Sequence, residues 1–202
     1  LVDGGPDDQQ VATELAALGV KRLDVVIATH PHADHIIGLP TVLSRIPVGL
    51  VLEPGCPDTS AIQAELDRAI ASEEVPVRHP RKGDSFSVGD LRLDVLSPDR
   101  CWTDTGSDAN NDSLVVLVTF LEDTVLFAGE PEEPAQEVLL GEQDRRGRIR
   151  RRAQPSVIHA AGDGSVRTAP PGWRVGAVMF PSCSPGTFAV RRCSVERAAP
   201  SF

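Results

Sequence analysis

No stretch of this 202-residue chain approaches the roughly 20 apolar residues needed to cross a bilayer, and no signal-peptide pattern opens it. The chain as given reads as soluble. C-x-x-C spacing is also absent. Cys56, Cys101, Cys183 and Cys193 are scattered, which argues against a zinc ribbon or a disulfide framework and makes reduced, structurally minor thiols the expectation. Nothing suggests a second full domain, because the length fits one ordinary core. Lysine is missing from residues 141–202, where 11 arginines face 4 acidic residues. Residues 1–140 have the opposite balance, 25 Asp and Glu against 9 Lys and Arg, so the overall net charge of −9 conceals an acidic body and a basic tail. That asymmetry fits an acidic domain carrying an arm that neutralises phosphates.

What is present is concentrated in Thr29-His30-Pro31-His32-Ala33-Asp34-His35. Three histidines and a carboxylate lie within six residues, directly after the β-branched run Val25-Val26-Ile27, which reads as a buried strand. Pro31 keeps His30 extended, so His30 and His32 project to one side at two-residue spacing. From Asp34 the apolar positions Ile36, Ile37, Leu39, Val42, Leu43 and Ile46 predict a helix, interrupted by Gly38 and Pro40 near its start. Asp34 and His35 would sit on its first turn, facing back toward the strand end. Neutral imidazoles suit zinc and similar metals, and a nearby carboxylate completes a second site or serves as a base, which makes Asp34 the candidate catalytic residue.

Elsewhere the chain alternates helical and strand patterns. Asp7 or Asp8 can cap a helix bearing Val11, Leu15 and Leu18, ended by Gly19. Val48 to Leu52 reads as a strand, and Thr59 or Ser60 starts a helix through Ile70. Period-two patterning from Val75 to Val95, with turns at Gly83-Asp84 and Gly89-Asp90, predicts antiparallel strands with one solvated face. Leu114 to Phe120 and Thr124 to Phe127 predict two more strands, and Glu132 to Leu140 a helix. Asp3 is either a support for the metal loop or a plain turn aspartate. Asn110 and Asn111 are either substrate-orienting amides or Asx-turn residues. His79 reads as a surface residue.

The H-x-H-x-D-H run after an apolar strand resembles the signature of the metallo-β-lactamase fold, an αββα sandwich of the α/β (α+β) class with a one- or two-metal site at its edge. Leu1-Val2-Asp3-Gly4-Gly5-Pro6 before it, Asn110-Asn111-Asp112-Ser113-Leu114-Val115-Val116 after it, and Leu126-Phe127-Ala128-Gly129-Glu130 with Pro134-Ala135-Gln136 narrow the likeness. In that order they resemble the C-terminal domain of ComEC-type DNA internalisation competence proteins, over Leu1 to about Leu140.

The resemblance implies two divalent ions, zinc or manganese. His30 and His32 would hold one, Asp34 and His35 the other, and Glu130 would bridge them where the family usually has aspartate. It further implies that Asp3 supports the ligands, and that Asn110, Asn111 and Ser113 act near the substrate. The implied partners are DNA and a membrane-embedded channel portion of a parent protein in the bacterial inner membrane, with no nucleotide cofactor. Phosphodiester hydrolysis of the non-imported strand is the implied activity. Another hydrolysis, of a thioester, lactone or small phosphoester, is the alternative, as is an inactive fragment. Two departures stand out: Glu130 adds a methylene to the bridging carboxylate, and Ile37 stands where glycine is usual.

The family also has strands before Leu1, so an N-terminal truncation is expected. Residues 1–140 are accordingly expected to form a partial domain and 141–202 an Arg/Pro-rich tail, disordered or frameshifted. The family's downstream His-His-Gly loop is missing, and His159 is the sole downstream histidine available as a ligand. A one-nucleotide displacement of CGN and GCN codons at Arg150 to Ala153 can spell Ala-Asp-Val-Leu, which is close to the family's strand before that loop.

Overall fold

The computed structural model describes residues 1–121 and 123–146, so the expectations placed on 147–202, His159 among them, lie outside the described residues. The chain begins with α1 (Gln10–Ala17), β1 (Val26–Ile27), α2 (Ala33–Ile36), α3 (Leu39–Arg45), β2 (Val51–Leu52), α4 (Ala61–Ser72) and β3 (Val77–Arg78). It continues through β4 (Ser85–Val88), β5 (Leu91–Ser97), α5 (Asp108–Asn111), β6 (Val115–Phe120), β7 (Asp123–Phe127) and α6 (Glu133–Arg146). Among the described residues α6 is the last helix.

The described residues form two sheets, one parallel in the order β1-β2-β3 and one antiparallel in the order β4-β5-β6-β7. Adjacent residues of a strand face opposite sides, and this divides the core in two. Val26 and Val51 pack against Ile36, Leu39, Leu43, Leu66 and Ile70 of the helices. Ile27 and Leu52 pack against Leu93, Val95 and Val116 of the antiparallel sheet and against Leu114 just before β6. The parallel sheet is thus buried on both faces, as its near-continuous apolar sequence requires. Helix, sheet, sheet is the layer order, in keeping with the expected mixed α/β sandwich.

Local chemistry sets the helix ends. Asp7 Oδ1 accepts hydrogen bonds from the backbone N–H groups of Gln9 and Gln10 at 2.9 and 2.8 Å, which caps α1. Ser60 Oγ accepts from Gln63 N at 3.2 Å and caps α4. The helix expected from Asp34 to Ile46, with its interruption at Gly38 and Pro40, is two helices that part at residues 37 and 38, where Gly38 packs on Gly4. A Cβ on Gly38 would lie 2.1 Å from the Gly4 carbonyl oxygen, so the chain turns where only glycine fits. Ile37 sits just before this contact with φ −54°, a conformation open to any residue. The close approach falls on Gly38.

The cysteines differ from expectation. Cys56 and Cys101 form a disulfide with a Cα separation of 5.5 Å across 45 residues of sequence. Sequence spacing says nothing about two loops that meet only after the sheets have stacked, which is why the pairing was missed.

Candidate metal centre

The carboxyl ends of the parallel strands and one edge of the antiparallel sheet meet at the histidine run. Thr29 and His30 follow β1, and the Thr29 carbonyl accepts from Leu114 N at 2.8 Å, which ties that strand end to the start of β6. Because β6 and β7 are antiparallel with Val116 opposite Phe127, the residues before β6 and after β7 lie side by side. Ser113 and Glu130 therefore arrive together, with Ser113 Oγ accepting from Glu130 N at 3.1 Å. Gly129 makes the turn at φ +60°, where a Cβ would meet Ser113 Oγ at 2.8 Å.

Four of the expected ligands converge on Glu130. His30 Nε2 is 3.8 Å from Glu130 Oε2, and His35 Nε2 is 3.4 Å from Glu130 Oε1. Asp34 Oδ2 is 3.7 Å from His35 Nε2. The His30 and His32 rings stand edge to face with centroids 4.7 Å apart. Donor atoms of His30, His32 and Glu130 form one group within 4.8 Å, and those of Asp34, His35 and Glu130 form another. Separations of 3.4–3.8 Å are long for hydrogen bonds. They are close to the roughly 3.3 Å between two ligands on a tetrahedral ion at about 2.0–2.1 Å.

His30 supplies the decisive fit. It is 1% exposed and its Nε2 is buried with no hydrogen-bond partner, an arrangement costing about 1–3 kcal/mol unless something completes it. Burial first, then the charges of His35 and His32, lower its pKa to about 2. The ring therefore stays neutral and keeps a lone pair for a metal. His35 behaves differently. Burial pulls its pKa down, but the hydrogen bond it donates to Asp3 and the charges of Asp3, Asp34 and Glu130 outweigh it, and the net pKa is raised.

Asp3 organises this pair. Its Oδ1 accepts from Thr29 N at 2.7 Å, and its Oδ2 lies 2.8 Å from both Thr29 Oγ1 and His35 Nδ1. Thr29 Oγ1 lies 3.1 Å from His30 Nδ1. With the hydroxyl donating to Asp3, it accepts from His30 Nδ1–H and leaves Nε2 bare toward Glu130. One buried carboxylate thus orients His35 directly and His30 through Thr29. Thr29 was not singled out from sequence, although its place between the strand and the histidines was the available signal.

Both asparagines lie on α5 and hydrogen-bond within the protein. Asn111, fully buried, donates through Nδ2 to Thr105 Oγ1 and the Ser107 carbonyl, both at 3.0 Å, and accepts from Glu132 N at 3.0 Å. Asn110 donates to Glu132 Oε1 at 3.3 Å, while its own buried Oδ1 has no partner. Asp34 lies at the rim with a side chain 46% exposed.

A cleft of about 580 Å³ opens beside the histidines, lined among others by His30, Pro31, Glu53, Cys56, His79 and Asp112. Glu53 follows β2 and is 8% exposed. Its carboxylate accepts from Gln63 Nε2 at 3.2 Å and faces His79 Nδ1 at 3.5 Å. His79 is half exposed, as expected of a surface residue, and its ring rests against Gly55.

Comparison with known proteins agrees with this geometry. The model of the metallo-beta-lactamase superfamily matches residues 1–173. The chain is 34% identical over 133 residues to ComE operon protein 3 of Bacillus subtilis, covering 62% of this chain and 16% of that protein. It is 28% identical over 102 residues to ribonuclease Z of Clostridium beijerinckii, covering 47% and 33%. It is 27% identical over 192 residues to hydroxyacylglutathione hydrolase of Chromohalobacter salexigens, covering 78% and 72%. The chain spans a third or less of the first two proteins. Members of the superfamily are hydrolase-type proteins that typically bind divalent metals, and the donor set around Glu130 suits such ions. By its matched sequence and its stacked parallel and antiparallel sheets, the chain belongs to the metallo-β-lactamase superfamily.

Proposed function

We propose that this chain is a hydrolase domain that holds two divalent ions, zinc or manganese, and cleaves phosphodiesters as part of a ComEC-type DNA-uptake protein. The observation that carries this reading is Glu130, whose two oxygens face two different histidines and are shared by two donor groups. His30, His32 and Glu130 would hold one ion, and Asp34, His35 and Glu130 the other. When bound, such ions polarise a phosphoryl oxygen and make water a better nucleophile near neutral pH.

The protein's own part is orientation. Asp3 and Thr29 fix the two buried imidazoles, Ser113 and Gly129 fix the backbone that carries Glu130, and Asp34 at the rim is placed to accept a proton. The substrate class and the partners rest on the likeness to ComE operon protein 3 and on the order of the matching segments. DNA is the substrate in this reading, and the channel portion of the same inner-membrane parent is the structural partner. Among the described residues no helix is long and apolar enough to cross a membrane.

A second reading, hydrolysis of a thioester, lactone or small phosphoester, is favoured by one observation. Glu53, Asp58, Asp67, Asp108 and Asp112 all line the cleft, a field that repels a polyanion. The extent of the match to hydroxyacylglutathione hydrolase supports the same reading. Metal analysis after dialysis, followed by a panel of thymidine oligomers, bis-p-nitrophenyl phosphate, thioesters and lactones with added zinc or manganese, separates the two. About two equivalents of metal per chain and turnover of the diesters are expected. Preferred cleavage of thioester or lactone moves the assignment to the second reading. Near-zero metal overturns both.

A further inference from the structure

The cleft has two walls from different sheets. Residues 53–58, which follow β2 of the parallel sheet, form one wall, while Asp108, Ala109 and Asp112, between β5 and β6 of the antiparallel sheet, line the other. Among the described residues no hydrogen bond joins residues 53–58 directly to 101–112, and the Cys56–Cys101 disulfide spans them. Both cysteines are partly exposed.

The surroundings of the two sulfurs differ. Arg81 Nη2 lies 3.6 Å from Cys101 Sγ, and the same guanidinium donates to the Pro54 and Pro80 carbonyls, which holds it in place. The Asp112 carboxylate lies within 4.8 Å of both sulfurs and disfavours negative charge on either. Arg81 is therefore the group that distinguishes them, and it stabilises a thiolate on Cys101.

We propose that the Cys56–Cys101 disulfide is a thiol-exchange site that couples the redox state of the surroundings to the shape of the cleft, with Cys56 the sulfur attacked and Cys101 the sulfur that leaves. The reductant is a dithiol, either a small molecule or a thioredoxin-type protein. Its thiolate attacks Cys56 Sγ, the Cys56–Cys101 bond breaks, and the electron pair goes to Cys101 Sγ, which then takes a proton. The second thiol of the reductant displaces Cys56, leaving two thiols on the chain and an oxidised dithiol in solution. Exchange with an oxidised partner of the same class runs the sequence backward. Once the bond is broken, no covalent link joins the two walls, and outside their own sheets Arg81, which donates to the Pro54 carbonyl and reaches Cys101 Sγ, is a side chain that still touches both.

The test uses the full chain with Cys183→Ser and Cys193→Ser, so that the labels report on this pair alone. Alkylation without reductant should leave Cys56 and Cys101 unmodified, and both should label after reduction. Limiting glutathione, quenched by alkylation and mapped by peptide mass, should place the mixed disulfide on Cys56 over Cys101 by on the order of tenfold. Arg81→Gln should bring that ratio toward one. Amide hydrogen exchange across 53–58 and 101–112 should accelerate on the order of tenfold on reduction, while residues 23–30 keep their protection. Free thiols before reduction overturn the proposal, as does a mixed disulfide on Cys101 or unchanged exchange in both walls.

Discussion

In the parallel sheet every residue of β1 and β2 is at most 3% exposed, whereas the antiparallel sheet shows solvent along β4 and leaves Phe120 46% and Leu121 75% exposed at the turn between β6 and β7. A strand buried on both faces has no face to offer a ligand, so its polar side chains can appear only beyond its end. Thr29 and His30 follow β1, Glu53 follows β2, and His79 follows β3, in the crevice outside the carboxyl ends of parallel strands. The antiparallel sheet contributes through its register instead, bringing Ser113 and Glu130 together from the start of one strand and the end of the next. The candidate centre needs both.

The comparison breaks most completely at His30. His30→Ala removes a donor from the group completed by His32 and Glu130, while the second group keeps Asp34, His35 and Glu130. Metal content should fall from about two equivalents to about one after dialysis. Retention of both ions by this variant would remove His30 from the ligand set.

Next in size is the contrast between the buried seam and the exposed turn. Leu114 is fully buried in the cluster shared by both sheets. Leu114→Ala should cost about 2–5 kcal/mol, read as a loss of denaturant midpoint. Phe120→Ser, at the exposed turn, should stay within about 0.5 kcal/mol. Equal losses would mean that the two regions are not packed as described.

Much of this was legible before the structure. The β-branched run before Thr29, the two-residue spacing of His30 and His32, and the caps at Asp7 and Ser60 are local, and each follows from neighbours a few residues away. What escaped was long-range. Gly38 needs Gly4, 34 residues earlier, to reveal why the helix breaks. Cys56 needs Cys101 across the stacked sheets, and Thr29 needs Asp3 on a neighbouring segment. The asparagines were ambiguous because an amide in a loop suits a ligand and a turn equally until its partners are known.

Asp3 joins the regions at lower cost. Asp3→Asn keeps the size and tolerates the left-handed backbone at φ +56°. It replaces one acceptor oxygen by a donor, so the hydrogen bonds to Thr29 and to His35 Nδ1 cannot all survive. Metal affinity should fall about 10- to 100-fold by competition with a chelator, with the fold retained by circular dichroism. An unchanged affinity would show that the imidazoles are oriented by packing alone.

The smallest effect lies in the cleft wall and is read through pH. The Glu53 carboxyl is pushed above the usual range by burial. The Gln63 hydrogen bond and His79 oppose this, and Asp67 adds to it. The folded state therefore holds that proton more firmly than the unfolded chain, whose glutamates titrate near about 4.3. The stability this group contributes is full below that value and is lost as pH rises through the raised folded pKa, because the unfolded chain then releases the proton more readily. Glu53→Gln keeps the shape without the charge, so its stability does not decline across the same window. Calorimetry from pH 4 to 7 should find the variant close to wild type at the acid end and gaining on it as pH rises toward neutrality. A difference that is constant with pH would place the effect in packing and remove Glu53 as a charged element of the wall.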